Sequence, residues 1–142
     1  MIVGGYDRAT SQDQFQIVEW LSRDQINWTY AGPVLTTQQM PQQASSDIFS
    51  PTIRQVAPGL WRMVFCGDNR SDPSGRIRLW SAVSTDYEHW QVEGMLLGND
   101  PGNLYYATMV DNTLITVRDD ANTTPFGDRQ GRRIATATVV MP

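Results

Sequence analysis

Ser22-Arg23-Asp24-Gln25-Ile26-Asn27-Trp28 returns as Ser84-Thr85-Asp86-Tyr87-Glu88-His89-Trp90, 62 residues further along the chain. Each copy is followed at the same spacing by a glycine, Gly32 and Gly94, and closes on a leucine, Leu35 and Leu97. The offset runs without a gap from residues 1–35 onto residues 63–97, placing Met1 on Met63, Gly5 on Gly67 and Arg8 on Arg70. A period of this size marks a chain of similar supersecondary units stacked on one another. The shared residues have physical roles in such a unit. An aspartate at a strand end accepts hydrogen bonds from the N–H groups of its own turn. The tryptophan that opens the next strand fills the wedge between neighbouring units. The glycine marks a bulge or a close backbone approach.

Outward from this motif the apolar residues alternate with period two, which is the pattern of strands. Ile77, Leu79 and Val83 alternate with Arg76, Arg78 and Trp80, and Phe15, Ile17 and Leu21 alternate with Gln14, Gln16 and Trp20. Trp61, Met63 and Phe65 share one face of a further run. Ala57-Pro58-Gly59, Asp72-Pro73-Ser74-Gly75, Asn99-Asp100-Pro101-Gly102 and Asp111-Asn112 supply the turns. No segment has the spacing of an amphipathic helix. One complete unit then holds four strands, near Pro51–Val56, Leu60–Cys66, Arg76–Ser84 and Trp90–Leu97. Four antiparallel strands in about 40–60 residues form one blade of a β-propeller. The expected architecture is all-β: a partial β-propeller of antiparallel four-stranded blades. It comprises an incomplete blade over 1–35, a complete blade over 36–97 and an incomplete blade over 98–142. The first lacks its opening strand and the last its closing one. The Gln-rich stretch Thr36–Asp47 reads as an exposed connection.

Composition narrows the function classes. The 142 residues carry a net charge of −4, and all 11 basic side chains are arginine. Without a basic stripe the chain is not expected to bind nucleic acid. Cys66 and His89 are the single cysteine and histidine. They leave no internal disulfide, no cysteine or histidine metal cluster and no serine–histidine–aspartate triad, so no metal and no cofactor are expected. No apolar run reaches the length of a membrane span, and Met1-Ile2-Val3-Gly4-Gly5-Tyr6 lacks the features of a signal peptide, so the expected location is cytoplasmic.

Ser50-Pro51-Thr52-Ile53, Gly59-Leu60-Trp61-Arg62-Met63-Val64-Phe65, Ile77-Arg78-Leu79-Trp80-Ser81-Ala82-Val83-Ser84-Thr85-Asp86 and then Trp90 resemble blades of the five-bladed β-propeller glycoside hydrolases, the arabinanase, β-xylosidase and invertase group. Those blades read Asp-Pro, a glycine–aromatic strand, and then Ala-x-Ser-x-Asp ahead of a tryptophan. The resemblance implies catalytic carboxylates on inner strands facing a central tunnel. The family's Asp-Pro position is Ser50-Pro51 in this chain, so the candidate carboxylates are Asp47, just ahead of it, and Asp100, in a second Asp-Pro. Sugar rings stack on aromatic faces, and Trp61, Trp80, Tyr105 and Tyr106 are the candidate substrate-binding residues.

Three functional readings compete. One is a carbohydrate-binding or carbohydrate-cleaving module. Another is a non-catalytic assembly or partner-binding protein reduced from an enzyme. The third is a truncated gene product. Serine at the Asp-Pro position points to little turnover by the chain alone. Incomplete blades leave strand edges and apolar faces uncovered, which points to self-association as a homodimer.

Overall fold

The computed structural model describes residues 1–6, 14–41, 47–68, 76–97, 102–111, 113–119 and 132–138. Ten strands run through them: β1 (Ile2–Tyr6), β2 (Phe15–Leu21), β3 (Thr29–Leu35), β4 (Asp47–Ala57), β5 (Leu60–Asp68), β6 (Arg78–Ser84), β7 (Gln91–Leu96), β8 (Asn103–Val110), β9 (Thr113–Asp119) and β10 (Arg132–Thr138). All pairings between them are antiparallel. They form three sheets, β1-β2-β3, β4-β5-β6-β7 and β10-β9-β8. The protein is an all-β partial propeller, and the one helical element among the described residues is a single 3₁₀ turn at Thr37–Gln39.

The middle sheet is buried on both faces, as a blade between two neighbours must be. Met63 and Phe65 of β5 and Trp80 and Ala82 of β6 join Trp90, Ile17, Leu35, Met40 and Ile48 in a core between the first and second sheets. Val64 and Cys66 of β5 and Leu79 of β6 point the other way. They meet Leu104, Tyr105, Ala107, Met109 and Leu114 in a core between the second and third sheets. Period-two alternation thus sends successive side chains of one strand into two separate cores.

The connection after β3 is more structured than its composition implies. Thr36 and Gln39 close a capping box around the 3₁₀ turn, and the buried Met40 joins the first core. The inner strand β4 begins at Asp47, ahead of the expected Pro51, and Asp47 to Phe49 pair with Asp68 to Cys66. A bulge follows at Ser50-Pro51, where Ser50 takes a left-handed φ of 52° and the register shifts. That extra residue breaks the alternation, so the first half of the strand is hidden from a reading by period.

The paired motifs fold alike. The Ser22 hydroxyl donates to Asp24 Oδ1 at 3.0 Å, and the same Oδ1 accepts the N–H groups of Ile26 and Asn27 at 2.9 and 2.8 Å. The Ser84 hydroxyl donates to Asp86 Oδ1 at 3.0 Å, and that oxygen accepts the N–H groups of Glu88 and His89 at 2.9 and 2.8 Å. Gly32 and Gly94, with φ of 128° and 152°, mark register shifts where β3 meets β2 and β7 meets β6. The two tryptophans differ. Trp90 is 5% exposed in the first core, whereas Trp28 is 38% exposed. The expected wedge is filled by Trp90 and not by Trp28, because no sheet among the described residues packs on the outward face of β1-β2-β3.

Candidate functional site

The strands β4 and β8 are the first strands of their sheets and converge at the same edge of the molecule. A staple locks each to the preceding sheet. The Asp47 carboxylate, at the start of β4, accepts the backbone N–H of Phe15 at 2.7 Å, and Phe15 opens β2. The Asn103 side-chain oxygen, at the start of β8, accepts the backbone N–H of Ile77 at 2.8 Å, just before β6. Leu104 adds a backbone bond to the Ile77 carbonyl at 3.2 Å. A buried N–H left without an acceptor is costly, so these side chains fix how adjacent sheets meet. Asp47 is buried, and its own N–H donates to Asp68 Oδ1 at 2.9 Å.

Both inner strands bulge at matching places. Tyr106 stands three residues after Asn103, as Ser50 stands three after Asp47, and its φ of 48° is also left-handed. The register of β8 shifts between Tyr105 and Thr108, as that of β4 shifts between Phe49 and Thr52. The bulge turns Tyr106 out of the sheet, leaving it 63% exposed, and Thr108 and Val110 follow it on the open side of β8. Ser50, Thr52 and Arg54 occupy the corresponding positions of β4 and are half-buried. Arg54 crosses to the far end of β8, donating to the Asp111 carbonyl and to its carboxylate at 3.1 Å each. The inner edge thus presents three hydroxyls, a phenol and a guanidinium–carboxylate pair.

The sequence candidates are dispersed. Trp80 and Tyr105 are buried in the first and second cores. Trp61 is half-buried and packs edge-on against Tyr87 with ring centroids 4.9 Å apart. Tyr106 is the one of the four that stands open to solvent on the inner edge. Asp100 lies outside the described residues. Ser50 sits in the bulge, where the resemblance puts the family's aspartate. Thr52, Arg54, Thr108 and Asp111 were missed by motif reading. The parallel between Asp47-Ile48-Phe49-Ser50-Pro51-Thr52 and Asn103-Leu104-Tyr105-Tyr106-Ala107-Thr108 was the signal that pointed to them.

Electrostatic perturbation concentrates elsewhere, in the two motif turns. Asp24 is held well below the usual carboxylate range by the N–H groups of Asn27 and Ile26. Asp86 is held low first by the N–H of His89 and then by its imidazole, which lies 2.8 Å from Asp86 Oδ2. The same hydrogen bond raises the His89 value. These groups are exposed, and their bonds stay within one turn, so they belong to the folding of the turn. Hydrolysis of a glycosidic bond uses two carboxyl groups about 5–10 Å apart. Among the described residues the open side of β4 and β8, with its turn, carries one carboxylate, Asp111, bound to Arg54. No group of three His, Cys, Asp or Glu among the described residues is placed to hold a metal ion. None of the described helices is long and apolar enough to cross a membrane.

A comparison with curated proteins finds no match. A family model described as the glycosyl hydrolases family 32 N-terminal domain matches residues 1–132. That span takes in β1 through β9, with the bulged inner strands and both motif turns. The converging antiparallel sheets agree with the five-bladed propeller fold of that family, and the chain belongs to the glycosyl hydrolases family 32 N-terminal domain family.

Proposed function

We propose that the inner edge formed by β4 and β8 binds carbohydrate, and that the chain by itself does not hydrolyse it. The observation that carries the reading is the row of polar side chains on two adjacent inner strands: the exposed Tyr106 and Thr108 on β8, beside the half-buried Ser50, Thr52 and Arg54 on β4. Hydroxyls both donate and accept, a guanidinium donates in a fixed plane, and a phenol offers a ring face with a polar tip, which together suit a polyhydroxylated ring. The family to which the chain belongs supports the ligand class. Serine rather than aspartate in the β4 bulge, and Asp111, the one carboxylate of this edge among the described residues, being paired with Arg54, argue against turnover. Asp47, at the start of β4, accepts the Phe15 N–H, which gives it a positioning role at this edge.

Titration calorimetry against fructo-, arabino- and xylo-oligosaccharides tests the reading. Binding is expected to one of these classes. Tyr106→Ala should weaken it about tenfold, roughly 1.4 kcal/mol, with the thermal midpoint unchanged because the ring is exposed. No binding to any class, or binding indifferent to Tyr106→Ala and Thr108→Ala, would remove the proposal. Sustained release of reducing sugar, abolished by Asp47→Asn, would overturn its non-catalytic half.

A further inference from the structure

A β-bulge sets two residues of one strand against one of its partner and takes backbone groups out of the ladder. In β8 the bulged residues are Tyr106 and Ala107, which stand against Thr116 between the pairs Tyr105–Val117 and Thr108–Ile115. In β4 they are Ser50 and Pro51, which stand against Phe65 between the pairs Phe49–Cys66 and Thr52–Val64. The two bulges differ in one backbone donor. Pro51 has no N–H, whereas Ala107 in its place has one. Ala107 is buried, so that N–H needs an acceptor inside the protein.

Two buried side chains meet the β8 bulge. Thr116, 2% exposed, donates its hydroxyl to the Tyr105 carbonyl at 2.8 Å, and its other acceptor in reach, the Val117 carbonyl, is at 3.5 Å. Cys66 reaches the bulge from the second sheet. Its thiol lies 3.9 Å from the Leu104 carbonyl, a distance suited to a weak S–H donor. Burial raises its pKa to about 11, and the N–H groups of Tyr106 and Ala107, directed at the sulfur, oppose that rise. One protonated sulfur thus donates to Leu104 and accepts from the bulge. The β4 bulge has neither aid from these places: Phe65 offers no hydrogen bond, and Pro51 needs no acceptor. Tyr106 itself has a φ of 48°, a conformation disfavoured for an L side chain, so its surroundings must hold it there. Its ring leans on the buried Tyr105 ring, with centroids 6.1 Å apart and planes 30° from parallel.

We infer that Thr116 and Cys66 are positioning residues that hold the β8 bulge and so keep Tyr106 turned out onto the inner edge. Thr116 supplies the donor and Cys66 the acceptor that the broken ladder does not. Because Cys66 belongs to β5, the presentation of Tyr106 depends on the second sheet as well as on its own. The ligand of Tyr106 rests on the carbohydrate reading above, whereas the hold on the bulge does not.

Fluorine NMR of the chain labelled with fluorotyrosine reads the placement of Tyr106, whose resonance is the one lost in Tyr106→Phe. Thr116→Val and Cys66→Ala should each shift or split that resonance with an unchanged far-ultraviolet spectrum, and either variant suffices should the other unfold. Thr116→Ser, which keeps the hydroxyl, should leave the resonance in place. Titration with the oligosaccharide that the parent binds reads the consequence. Thr116→Val should weaken binding about tenfold, the loss expected of Tyr106→Ala. Adding Thr116→Val to Tyr106→Ala should weaken it no further, since the one acts through the other. If the parent binds no sugar, the carbohydrate reading falls and the resonance alone decides the inference. A Tyr106 resonance indifferent to both Thr116→Val and Cys66→Ala overturns it. So does a Thr116→Ser resonance displaced as far as that of Thr116→Val, which would assign the effect to packing and not to the hydroxyl. Additive losses in the double variant overturn the link from Thr116 to binding.

Discussion

Replacing Trp90 by alanine removes a ring that is buried between two sheets, and the expected cost is about 3–5 kcal/mol, as for large core aromatics. The same change at Trp28 removes a ring that is 38% exposed, and its cost to the single chain is expected below about 1.5 kcal/mol. Urea unfolding of both variants checks the difference. Asp47 offers a second contrast. Asp47→Ala leaves the Phe15 N–H without its acceptor and should destabilise by about 1–3 kcal/mol, whereas Asp47→Asn keeps an acceptor oxygen and should cost less. Equal losses from the two variants would show that charge, not the link between sheets, is what Asp47 contributes. In the turn beside Trp90, His89 is raised above its ordinary 6.5, first by the hydrogen bond to Asp86. Its contribution to folding is therefore full below pH 6.5 and fades as pH rises through the folded value. Asp86 is lowered from 3.8, so its contribution is full above pH 3.8 and fades as pH falls through its own folded value. The turn is tightest between these limits. Proton NMR should place the His89 midpoint above 6.5, and Asp86→Ala should return it toward 6.5.

Elements of this chain are shaped by single residues that let a strand depart from regularity. Gly94 sits at a φ of 152° where β7 shifts register against β6, and a Cβ there would meet nothing within 4 Å. Gly94→Ala should still destabilise by about 1–3 kcal/mol, because the backbone conformation itself is disfavoured for an L side chain. A neutral result in equilibrium unfolding would mean that β7 re-registers at no cost. The outer half of the middle sheet is also tied by charge: Arg62, 4% exposed, meets both Glu93 oxygens at 2.9 and 3.1 Å. The strands themselves were legible from alternation, and the glycine bulges from the motif. The inner-strand bulges were not, because Ser50 and Tyr106 adopt positive φ without the glycine or asparagine that announces it. The start of β4 and most of the inner edge were hidden for that reason.

Across the whole molecule, two cores share one sheet, and Cys66 reports on the second of them. Its thiol is fully buried, and burial pushes its pKa up to about 11. Alkylation at pH 8 should therefore follow opening of the fold, and its rate should rise with urea in step with unfolding. Rapid labelling in buffer would mean that the second and third sheets separate easily. The sequence by itself determined the strand content, the turn-forming aspartates, the glycine bulges and the resemblance to a propeller family. These rest on local physics: period-two alternation, side chains that bond their own turn, and backbone positions that favour glycine. Only the tertiary structure decided which of two like residues is buried. Trp28 and Trp90 occupy the same motif position, and a residue is covered only where a neighbouring sheet exists to cover it. The same holds at the inner edge. Asp47 was a candidate from the resemblance and Tyr106 from its aromatic ring, and the packing of adjacent sheets turned the carboxylate onto a backbone N–H while a bulge turned the ring out to solvent.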